Sequence, residues 1–195
     1  MNFPLRLTFK LLAVAPQITV TEASGSLLLL VRQKAFKLKE SVKVFADEQQ
    51  SRLLATIEAD RVIDWSASYH IRSADGRDLG VVRREGMRSL WRAHYELVAG
   101  DGRVMTLREE NPWTKLADGI FGQIPIIGLF AGYVFHPAYL VEDRGSGTRL
   151  FRLVKRPALF EGIYDMERAG AADNATEMTA LLGMVMMLLL ERTRG

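Results

Sequence analysis

The chain has 195 residues, 26 Lys and Arg against 23 Asp and Glu, and a net charge of +3, which is ordinary for a globular protein and gives no reason to expect nucleic acid. It contains no Cys, which excludes disulfides, thiolate metal sites, cysteine nucleophiles and palmitoyl anchors. No cofactor is implied, and length alone favours one domain, over 1-195, with a substantial core.

From the N-terminus, Leu5, Leu7, Phe9 and Leu11 alternate with Arg6, Thr8 and Lys10, the period of a half-buried strand. Arg6 and Lys10 interrupt the apolar run and Pro16 follows the Ala13-Val14-Ala15 stretch, so this segment reads as structure rather than as a signal peptide, and the protein as cytoplasmic. Ile18 to Thr21 and Leu27 to Arg32 are two further strands, separated by a turn at Glu22 to Ser26. Phe36 to Lys39, Ser41 to Ala46 and Arg52 to Ala59 continue the series, with Lys37, Lys39 and Lys43 outward if Leu38, Val42 and Val44 point in.

Two Asp-Gly turns, at Asp75-Gly76 and Asp101-Gly102, each link alternating runs and predict hairpins. Ser68 to Arg72 pairs with Leu79 to Arg83, and Leu90 to Val98 pairs with Val104 to Arg108. In the longer strand Trp91, Ala93, Tyr95 and Leu97 form the inward side. Asn111-Pro112 suits a helix start, so Pro112 to about Phe121 is expected as a short helix. The stretch at about 112-136 is an insert rich in glycine and large apolar residues. A third hairpin joins Ala138 to Val141 with Thr148 to Val154, and Tyr164 to Glu167 adds a short strand.

The last segment, about 174-194, is apolar on every side. Met178, Leu181, Leu182, Val185, Met186 and Leu189 form one stripe, while Ala180, Met184, Met187, Leu188 and Leu190 fill the other. Asn174 with Glu177 suits a capping box at its start, and Arg192 and Arg194 suit the negative end of its dipole. A helix without a polar face must be enclosed by protein or lipid. A bilayer span needs roughly 20 mostly apolar residues, and the run from Met178 to Leu190 is shorter and contains Thr179 and Gly183, which favours protein. The expected fold is therefore mainly β with one buried helix: a closed antiparallel barrel of about twelve strands around a hydrophobic C-terminal α-helix.

Three segments resemble the LURP-one-related family, which is grouped with the Tubby C-terminal domain and the phospholipid scramblases. They are Leu29 to Lys39 with Val42 to Asp47, Asp75 to Arg84, and Ser89 to Tyr95. The resemblance covers roughly Phe3 to Leu190 and implies a twelve-stranded barrel around a central helix. It also implies functions to weigh: Tubby domains bind phosphoinositides through basic residues on the barrel wall, and scramblases are membrane-tethered. The chain departs from scramblases in lacking a cysteine cluster and a calcium-binding acidic loop, and from a simple barrel in its insert.

Chemistry by itself points to binding, because His70, His94 and His136 are scattered and no nucleophile elbow or zinc motif is present. One candidate surface is basic: Arg83, Arg84, Arg88 and Arg92, with Lys37, Lys39 and Lys43, and Lys34 nearby. These residues suit phosphate, and they equally suit plain solvation of a wall. The other is apolar: Ile120, Phe121, Ile126, Ile127, Leu129 and Phe130, which would close a barrel mouth, join a homodimer or dip into a lipid surface. The expected function is a non-enzymatic module for anionic phospholipid or a phosphorylated ligand, at the cytoplasmic membrane periphery. Its alternatives are a self-associating scaffold and a scramblase-like membrane protein.

Overall fold

A computed structural model describes residues 1–10, 17–33, 41–60, 67–84, 94–110, 138–158 and 161–192. Twelve strands run in chain order: β1 Leu5–Lys10, β2 Gln17–Thr21, β3 Leu27–Gln33, β4 Ser41–Phe45, β5 Leu53–Ala59, β6 Ser68–Ser73, β7 Asp78–Arg84, β8 His94–Ala99, β9 Val104–Glu109, β10 Ala138–Asp143, β11 Arg149–Arg156 and β12 Glu161–Arg168. One helix, α1, follows at Asn174–Arg192. Each strand pairs antiparallel with its neighbours in sequence, and β1 closes on β12 from Leu5 opposite Met166 to Lys10 opposite Glu161. The closed barrel leaves no free edge among these strands.

Alternation sorts the side chains. Leu5 and Leu7, Ile18 and Val20, Val42 and Val44, and Tyr95 and Leu97 all point inward and are buried. They meet α1, in which every residue from Ala180 to Leu189 is buried, so no side of the helix reaches solvent there. By length and composition Asn174–Glu191 could cross a membrane, but 72% of that window is buried inside the barrel. The barrel wall occupies the place that lipid would take.

The helix lies closest to β7, β8 and β9. Small residues allow this. A Cβ at Gly183 would stand 2.6 Å from Leu97 Cδ2, and one at Gly80 would stand 2.4 Å from the Val98 carbonyl and 3.3 Å from the Thr179 methyl. At the same contact Thr179 Oγ1 donates to the Leu79 carbonyl at 3.2 Å.

The start of α1 differs from the expected capping box. Asp173, not Asn174, caps it: its Oδ1 accepts from the Thr176 N–H at 2.7 Å. Glu177 is then free of the cap, and its almost fully buried carboxylate accepts from the Arg168 guanidinium and from the Met1 amine, the latter at 3.3 Å. Arg168 also lies over the Phe3 ring at 4.7 Å, and Phe3 stacks on Phe151 at 5.8 Å. Beside them Arg103 donates to Asp143 Oδ2 at 2.8 Å and to Thr176 Oγ1 at 3.3 Å, tying two strand turns to the helix.

Within the described residues the strands match the expected alternating segments to within a few residues; the start of the expected strand from Leu90, with Trp91 and Ala93, lies outside them. The expected strand at Phe36 to Lys39, the expected helix from Pro112 and the insert at about 112-136 lie outside the described residues.

Two outcomes follow from this packing. Gly183→Val forces a branched side chain into Leu97 and should destabilise the fold by about 2 kcal/mol in urea unfolding, with Gly183→Val and Leu97→Ala costing less together than the sum of the two alone. Asp143 is held down to about 2, first by the Arg103 hydrogen bond and then by the Ser146 backbone N–H. A depressed carboxylate contributes its stabilisation above the ordinary value of 3.8 and loses it as pH falls through about 2. Unfolding midpoints measured from pH 7 down to pH 2 should therefore fall at the acid end, and Asp143→Asn should flatten part of that fall.

Candidate functional site

With the inner face committed to α1, exposed chemistry belongs to the outer face. On β3 to β6 the inward residues Val31, Val42, Val44, Ala55, Ile57 and Ile71 are buried, which turns Arg32, Lys43, Thr56 and Arg72 outward. The pairing register aligns these four in one row: Arg32 opposite Lys43, Lys43 opposite Thr56, and Thr56 opposite Arg72. With strands about 4.8 Å apart, the row spans about 14 Å. None of its three cations forms an ion pair among the described residues. Arg32 Nη1 donates to the neutral Gln50 Oε1 at 2.9 Å. Acids flank the row without pairing with it: Asp78 on β7 is the register partner of Arg72 and accepts from the Gly80 N–H at 3.0 Å, Glu58 on β5 faces His70, and Asp60 just beyond β5 accepts from the Ser68 N–H at 3.0 Å.

The other half of the wall neutralises itself. Arg108 holds Glu142 through two bonds of 2.9 Å, and Arg152 Nη2 reaches Glu110 at 2.9 Å. Asp165 sits between Arg6 at 2.9 Å and Arg156 at 2.8 Å. Burial raises the Asp165 pKa, but the hydrogen bonds from Arg6 and Arg156 outweigh it and leave the carboxyl below the usual value. Glu96 takes both Arg83, at 3.3 Å, and Arg144. Half-exposed pairs of this kind contribute at most about 1 kcal/mol each, so their main effect here is to cancel charge across β7 to β12 and β1.

Of the expected basic set, Lys43 lies in the open row. Arg83 and Arg84 are sequence neighbours and alternate: Arg83 faces out and is held by Glu96, whereas Arg84 shares the inward side with Tyr95, its register partner. Lys37, Lys39, Arg88 and Arg92 lie outside the described residues, as do Ile120, Phe121, Ile126, Ile127, Leu129 and Phe130. Arg32 and Arg72 were not expected as site residues. Their signal is faint, since each is one cation at an outward position of an otherwise apolar or mixed strand, and only register brings them together.

The barrel end near the C-terminus of α1 also carries polar groups in the interior. Tyr95 donates to Glu191 Oε1 at 2.9 Å. Burial, aided by Glu191, pushes the Tyr95 phenol far up; burial does the same for Tyr139 and raises Tyr164, so all three stay protonated. Gln33 Oε1 is buried at this end without a hydrogen-bond partner among the described residues. Among the described residues no group of three or more His, Asp or Glu is placed to hold a metal ion. The chain matches no protein-family model, no curated protein and no solved structure.

Proposed function

We propose that the chain is a non-enzymatic binding module that engages anionic phospholipid, or another phosphorylated ligand, through the outer wall of β3 to β6. The observation that carries this reading is the row of Arg32, Lys43 and Arg72, three cations that form no ion pair among the described residues, on a barrel whose other described outer cations are largely paired. Guanidinium and ammonium groups side by side suit phosphate oxygens, with Thr56 adding a hydroxyl between them. We also propose kinship with the LURP-one-related, Tubby and scramblase group. A barrel closed around its own C-terminal helix, the architecture implied by the sequence resemblance, supports it. In this reading the protein works at the cytoplasmic surface of a membrane and needs no inserted segment to bind.

Each basic residue near an anionic surface is worth about 1 kcal/mol, so replacing all three of Arg32, Lys43 and Arg72 by Ala should weaken binding to phosphatidylserine-containing vesicles by about a hundredfold. Arg83→Ala, which removes a cation already held by Glu96, should have a much smaller effect. Co-sedimentation at low and high salt measures both. Equal binding to neutral phosphatidylcholine vesicles, or a triple variant that binds like the parent, would reject the reading.

A further inference from the structure

Five hairpin turns at the end of the barrel where α1 begins are built alike. Each contains one residue with a left-handed backbone whose N–H donates back across the turn, and in four of them it is glycine: Gly25, Gly76, Gly102 and Gly147, with φ between 69° and 87°. The β4–β5 turn is the exception. There Gln50 holds a φ of 60°, the one positive value at a non-glycine among the described residues, and its N–H donates to the Asp47 carbonyl at 3.2 Å. A side chain in that conformation crowds the backbone, a strain that the glycine turns avoid.

The Gln50 side chain has a use that glycine lacks. Its Oε1 accepts from Arg32 Nη1 at 2.9 Å. The turn beneath is independently braced, because the Asp47 carboxylate accepts from the Ser51 and Arg52 N–H groups at 2.9 Å and 2.7 Å. The bond to Arg32 is therefore not needed to hold the turn. It fixes one edge of an exposed guanidinium and leaves the remaining N–H groups beside Lys43, its register partner.

We infer that Gln50 is a positioning residue for a phosphate-ester site centred on Arg32 and Lys43, kept in a strained backbone because its amide orients Arg32 toward the ligand. This rests on the reading of the basic row as a binding surface. It adds that the β4–β5 turn belongs to the site and that the site selects a phosphate group rather than diffuse negative charge. Glutamate at this position would pair with Arg32 and cancel its charge; glutamine orients it and leaves the charge available.

The test uses the full chain, phosphatidylserine-containing vesicles, and soluble inorganic pyrophosphate as competitor. Gln50→Gly should leave Tm unchanged or higher while weakening vesicle binding by about threefold, less than the full worth of a hydrogen bond to a charged group because Arg32 loses its orientation and keeps its charge. Gln50→Asn tolerates the same backbone but is one methylene too short, and should show the same loss. Gln50→Glu should weaken binding further. Competition by pyrophosphate supports recognition of the phosphate itself, and an absence of competition with the Gln50 dependence intact supports a lipid headgroup at a surface; both uphold the inference. Unchanged binding in the Gly and Asn variants, or binding and Tm falling together, would overturn it. If that happens while the Arg32, Lys43 and Arg72 triple variant still loses binding, only the role of Gln50 fails. If the triple variant binds like the parent, the binding surface fails and Gln50 with it.

Discussion

The structure depends on one constraint: α1 has no polar side, so something must cover it all the way round. An isolated helix of this kind would present leucine and methionine to water at every angle, at about 25 cal/mol for each Å² left exposed. A barrel of about eight strands fills with its own side chains, whereas twelve strands leave room for a helix about 10 Å across. Strand number and helix character therefore belong together. Neither the wall nor the helix has another partner among the described residues for the apolar faces it carries.

Enclosure has consequences for where function can lie. The inward positions from Leu5 to Met166 are taken up by packing, and substitution there acts on stability first. The outer face is released from that duty and divides by charge. From β7 through β12 to β1, arginines and carboxylates pair across neighbouring strands. Across β3 to β6 the outward cations stand without such partners in the described structure, and the adjacent turn departs from the glycine pattern of its four counterparts. Register and turn backbone, two independent kinds of observation, thus meet at Arg32.

Much of the fold was legible because its signals are local. The period of two through Tyr95 and Leu97 marks an inner face, the Asp-Gly turns mark hairpins, and the unbroken apolar surface of α1 marks its need for enclosure. The cap was misread by one residue because Asp173 and Asn174 are both good caps, and the choice was made by what Glu177 could reach instead, an arginine on β12. The candidate site was much less legible. Alternation alone separates Arg83 from Arg84, yet nothing local states that Arg32, Lys43 and Arg72 share a row. That alignment depends on pairing across four strands, with a register shift at Val44/Phe45 in the β4–β5 ladder. Closeness in sequence favoured the arginines near the second hairpin, whereas closeness in space was set by the sheet.

The central claim, that the barrel wall encloses α1, can be tested directly because the natural chain has no cysteine to interfere. A single Met186→Cys on α1 and a control Ser24→Cys on an exposed turn would be treated with a maleimide in native buffer, with and without vesicles. The account predicts rapid labelling of position 24 and protection of position 186 that is lost only with global unfolding, with or without lipid. Labelling of position 186 in the folded protein at a rate close to that of position 24 would contradict it.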